Sequence, residues 1–177
     1  MTLTTGTVTQ LWHALLREGE QRARIALPET HESYLVFALV RLSRDALLTG
    51  RTLALDLLEG LALDRAAQDD RLRHVGDSCL LVEGLFPGLA RLRGVGHGYY
   101  ATLGQCAYGC LGERGRSAMA GLYGELAQAF RSLVMVLRSI RREHPAALMP
   151  PVLPDDVMRL QDDDAFNRER PALHRVH

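Results

Sequence analysis

Apolar residues recur along most of this chain at alternating spacings of three and four, the period of a helix with one buried face. No segment alternates strictly as a half-buried strand would. The longest stripe runs Met119, Leu122, Leu126, Ala129, Leu133, Val136, Ile140, with Tyr123, Phe130 and Leu137 beside it, and predicts a helix over about 116–143. Arg138, Arg141, Arg142 and His144 stand at its carboxy-terminal end, where the helix dipole favours cations. A second stripe, Leu72, Val75, Cys79, Val82 and Phe86, predicts a helix that Asp64 opens as N-cap and Pro87-Gly88 ends.

Weaker patterns fill the amino-terminal third. Leu11, Trp12, Leu15 and Leu16 predict a helix over about 8–24. The next opens at Pro28, with Glu29 and Glu32 near its positive end, and is apolar on every side from Tyr34 to Val40, which predicts that it is the central helix. A short helix is expected near 52–62, and another over about 98–112 behind a loop of Gly94, Gly96 and Gly98. The expected fold is therefore all-α, a compact bundle of five or six helices within residues 1–144. Residues 145–177 hold five of the seven prolines and an acidic cluster, and read as an irregular Pro-rich arm.

The long stripe also bears on assembly. Three heptads flanked by Tyr123 and Phe130 offer more apolar surface than one helix usually needs, so a homodimer is expected.

Composition narrows the function classes. The 177 residues carry 21 cations and 21 anions, and every cation is Arg. Without Lys, a Walker-type phosphate loop, a Schiff-base lysine and a Ser-Lys dyad are impossible. Balanced charge, with acidic residues interleaved among the arginines, gives no basic footprint, so nucleic-acid binding is not expected. No stretch reaches the length of a membrane span, the amino terminus lacks a signal-like pattern, and three cysteines make no disulfide framework, so a reduced cytoplasmic protein is expected.

Candidate chemistry concentrates in residues 93–112, RGVGHGYYATLGQCAYGCLG, with six glycines, three tyrosines, His97 and two cysteines. The GHGYYA run matches a dinucleotide-binding glycine pattern, but that pattern works between a strand and a helix and no strand precedes it. Cys106 and Cys110 lie one turn apart and are weak metal candidates, since zinc asks for a second ligand pair. Small core thiols are the plainer reading. A di-iron centre is not expected, because no ExxH occurs. Asp77 sits beside Gly76 in an apolar stretch, where a carboxylate must find a partner, with an Arg or a helix terminus the expected one. His74 shares its helical edge. The candidate pocket or structural polar cluster is accordingly Asp77, His74, Tyr99, Tyr100, Tyr108 and His97, with the tyrosine hydroxyls expected on groups such as Asp77.

Three segments, GDSCLLVEGLFP, GHGYYATLGQCAYGCL and ELAQAF, resemble a group of uncharacterised bacterial helical proteins with the pattern GDxxLxxxGxFP, GxxYYxxxGxxAYxxL and ELAxxF. The resemblance spans about residues 28–142. It implies a compact bacterial helical domain in which Asp77, Gly84, Phe86, Pro87, Tyr99, Tyr100, Gly104 and Tyr108 belong together, and it carries over no catalytic residue and no cofactor. Two functions follow as expectations. The first is a non-enzymatic interaction or regulatory protein acting through helical surfaces and the carboxy-terminal arm on a protein partner or a second copy. The alternative is a small-molecule-binding protein or enzyme with a tyrosine-lined pocket in the helical core.

Overall fold

The computed structural model describes residues 5–44, 58, 61, 65–88, 94–96, 98–115 and 117–143. Five helices account for most of them: α1 (Thr5–Ala23), α2 (Glu29–Arg44), α3 (Arg65–Leu85), α4 (Tyr99–Gly112) and α5 (Ala118–Glu143). No strand occurs among the described residues, and the fold is an all-α bundle. The helix expected near 52–62 and the Pro-rich arm lie outside the described residues, apart from Leu58 and Leu61.

Helix ends follow from local chemistry. Arg24 closes α1 with a left-handed φ of 55°, and the Ile25 amide donates to the Glu20 carbonyl at 3.0 Å. Glu20 also reaches forward, accepting the Leu27 amide on its carboxylate at 2.6 Å, which fixes the turn into α2. Pro28 opens α2, its carbonyl accepting from the amides of His31 and Glu32. Ser117 caps α5 by accepting the Ala120 amide on its hydroxyl at 3.1 Å.

α3 is the central helix, which corrects the expectation that α2 is. Every residue from Val75 to Phe86 is buried, although the run contains Gly76, Asp77, Ser78, Glu83 and Gly84. α4 and α5 both lie against α3 and against each other, and α1 closes the far side of α5. α2, by contrast, leaves Phe37 64% exposed. Its all-apolar middle is one buried face with an aromatic residue on the outside. Small residues let the three inner helices approach: a Cβ on Gly104 of α4 would stand 2.5 Å from the Phe130 ring of α5 and 2.9 Å from Cys79 of α3.

The α5 stripe packs within the chain. Leu126, Phe130, Leu133, Val136, Leu137 and Ile140 are almost wholly buried against the other helices, leaving Met119 exposed at one end. The apolar surplus that motivated a homodimer is therefore taken up inside one chain. α3 and α5 are further tied by Arg138, which donates to the Glu83 carboxylate at 2.6 Å and to the Glu83 carbonyl at 3.1 Å.

Candidate functional site

Asp77 lies where α2, α3 and α4 meet and is 1% exposed. Two hydroxyls donate to its Oδ1, from Tyr34 of α2 at 2.6 Å and from Tyr108 of α4 at 2.7 Å. Arg41 of α2 donates to Oδ2. Tyr34 and Arg41 stand seven residues apart, two turns along one side of α2, so one helical edge supplies both donors. All three partners donate, an arrangement suited to an acceptor-only carboxylate.

Electrostatics at this point pull in opposite directions. Burial raises the Asp77 carboxyl above its ordinary value, while Arg41 and the two tyrosine hydroxyls work to lower it. Burial, then the Asp77 charge, pushes the hydroxyls of Tyr34 and Tyr108 upward, so both remain protonated donors. Burial also opposes the charge of Arg41, and Asp77 together with Tyr34 and Tyr108 more than restores it.

Aromatic rings surround the carboxylate. Tyr34 meets Tyr108 and Tyr123 edge-on at 6.0 and 5.9 Å, while Tyr108 stacks on Tyr123 at 5.9 Å and tilts against Phe130. Tyr108 crosses Gly76 so closely that a Cβ there would lie 2.6 Å from its Cδ1. Burial holds the Tyr123 hydroxyl up and Arg73 works to lower it, and its ring meets Tyr34, so a run of polar groups leads from Asp77 outward. It ends in a cleft of about 150 Å³ lined by Arg65, Asp69, Asp70, Arg73, Arg114 and Tyr123, among others. Within it Arg114 pairs with Asp69 at 2.6 Å and Arg73 with Asp70 at 2.8 Å.

Of the candidate residues, Asp77 and Tyr108 come together. Tyr99 and Tyr100 do not join them: they sit eight or nine residues before Tyr108 on α4, about 12 Å along the axis. They pair edge-on with each other at 5.3 Å, Tyr100 buried and Tyr99 part-exposed. His74 is half-buried one turn before Asp77 and is not among its hydrogen-bond donors. His97 lies outside the described residues. Cys106 of α4 is exposed, Cys110 is half-buried against the edge of the core, and Cys79 is the core thiol. No cluster of three or more His, Cys, Asp or Glu able to hold a metal occurs among the described residues. Tyr34 and Arg41 are the members that sequence reasoning missed. Their signal is a hydroxyl and a guanidinium seven apart at the two ends of an apolar run.

The arrangement ties α2, α3 and α4 together through one carboxylate. Both Asp77 oxygens face protein donors, and a general base needs a lone pair within reach of the proton that it takes. Compared with protein families, with curated proteins and with solved structures, the chain finds no match in any of the three.

Proposed function

We propose that this domain is a non-enzymatic interaction module that engages a protein partner through the outer face of α2. The observation that carries the reading is Phe37, 64% exposed and one turn from Arg41 on the same helix. Aromatic and Arg side chains are the residue types that dominate binding hot spots. Arg41 is held by Asp77, so its guanidinium loses little freedom when a partner covers it. The carboxylate cluster behind α2 thus presents the face, and Phe37 is the anchor that enters the partner. Replacing Phe37 with a photo-crosslinking phenylalanine in the producing cell tests this. One discrete cross-linked species is expected, absent with the same label at the exposed Gln21 of α1; labelling equal at both positions overturns it.

A second reading keeps the small-molecule alternative. The cleft beside Tyr123 brings Arg65, Arg73 and Arg114 together with the first turn of α5, which suits a small anion. Arg114 and Arg73 are already paired with Asp69 and Asp70, which weighs against it. A melting temperature that rises with millimolar inorganic phosphate or a small dicarboxylate, and no longer does so in Arg73→Ala, supports this reading; no rise with either removes it.

A further inference from the structure

Cys106 and Cys110 take no part in the Asp77 cluster or in the face of α2. They stand one turn apart on α4, Cys106 exposed and Cys110 half-buried, with Cys106 near enough to act on the Cys110 thiol. Side chains four apart on a helix have Cβ atoms about 5–6 Å apart. A disulfide needs about 3.8 Å between Cβ atoms, so the pair cannot close one without unwinding α4. Two sulfurs that share one metal ion sit farther apart, because two metal–sulfur bonds of about 2.3 Å lie between them. Gly109 lies between the two cysteines in sequence, and a Cβ added there would meet nothing within 4 Å, so this side of the helix is open.

We propose that Cys106 and Cys110 form a two-coordinate site for a soft thiophilic cation, with Cu(I) the representative ion. Thiolates select Cu(I), whereas zinc takes four ligands, and no third His, Cys, Asp or Glu converges on these sulfurs among the described residues. Binding forms two Cu–S bonds, breaks two S–H bonds and releases two protons to solvent, with no change of oxidation state. The bis-thiolate complex then carries one negative charge. Arg114 stabilises negative charge at Cys110, and Glu113 opposes it. Both thiols give up their protons on binding, so affinity rises with pH.

The test is an anaerobic titration of the reduced full chain with Cu(I) against a chromophoric Cu(I) chelator, read together with native mass spectrometry. One ion per chain is expected, with a mass gain of one copper less one proton at a given ion charge, the signature of Cu(I). Cys106→Ser and Cys110→Ser should each lose about a hundredfold or more, the size of a chelate effect. Unchanged circular dichroism of both variants shows that the loss is not unfolding. Cys79→Ser, if it folds, keeps the site, and Zn(II) does not compete. Retention of wild-type affinity by either single variant, or one copper on each separate thiol, overturns the proposal.

Discussion

Replacing Tyr108 by Phe removes one hydroxyl from the Asp77 cluster and almost nothing else. The ring stays over Gly76 and against Tyr123 and Phe130, so no cavity opens. What is lost is a buried hydrogen bond of 2.7 Å to a carboxylate. Hydrogen bonds to charged groups contribute about 1.5–3 kcal/mol. Oδ1 keeps Tyr34 and Oδ2 keeps Arg41, so the carboxylate is not orphaned, and the lower part of that range, about 2 kcal/mol, is expected. For a chain of this length that corresponds to a drop of about 4–8 °C in melting temperature. Tyr99→Phe is the control, since its part-exposed ring is outside the cluster, and its effect should stay within about 0.5 kcal/mol. Urea unfolding followed by circular dichroism reads both. Repeating Tyr108→Phe in an Asp77→Asn background separates the pair, because the second substitution should then cost less than it does alone. A Tyr108→Phe protein as stable as wild type, or costs that add without coupling, would refute the role given to this bond.

Gly76→Ala should destabilise by about 1–3 kcal/mol in the same assay, because the new methyl meets a Tyr108 ring pinned at its hydroxyl; a neutral effect would mean that the ring can shift. Tyr34, Tyr108 and Tyr123 are all raised above 10.0 by burial, so below pH 10 they are neutral folded or unfolded, and above it only the unfolded chain releases their protons. Stability should therefore fall as pH rises past 10, with the ultraviolet signal of these tyrosinates appearing together with unfolding. Full tyrosine titration of a still-folded protein would contradict this. His31 is 4% exposed, and its ring nitrogens have no aligned hydrogen bond, although Nε2 lies 3.4 Å from the Glu125 carboxylate. His31→Leu should thus leave stability unchanged or raise it by about 1 kcal/mol, and a loss of that size would show that the ion pair matters more than the unbonded ring.

The parts of this fold that can be read from sequence are those where burial and apolarity coincide. α5 is one such case, since its inward face is a run of Leu, Val, Ile and Phe at regular spacing. α3 is different: from Val75 onward it is buried all round, but that stretch includes Gly76, Asp77, Ser78, Glu83 and Gly84, which a count of apolar residues scores as surface. The centre of the bundle consequently shifts, by apolar count, to α2, whose Phe37 faces outward. At the site, Asp77 is readable as a carboxylate that needs a partner, and Tyr108 as a hydroxyl that could supply one. Tyr34 and Arg41 are not, because their approach to Asp77 depends on how α2 crosses α3, and helix spacing within one segment carries no information about that crossing. Tyr99 and Tyr100 look equivalent to Tyr108 in sequence, yet two turns of α4 carry them away from the carboxylate.

The central claim is that the Asp77 cluster holds the helices while the outer face of α2 binds a partner protein. Native mass spectrometry of the protein isolated from its own cells, beside a Phe37→Glu form with an unchanged melting temperature, tests it most directly. The expected result is a stoichiometric complex with a second polypeptide for the wild type and the bare chain for Phe37→Glu. A bare chain in both cases, or a chain retaining a small molecule whose loss follows Arg73→Ala and not Phe37→Glu, would contradict it.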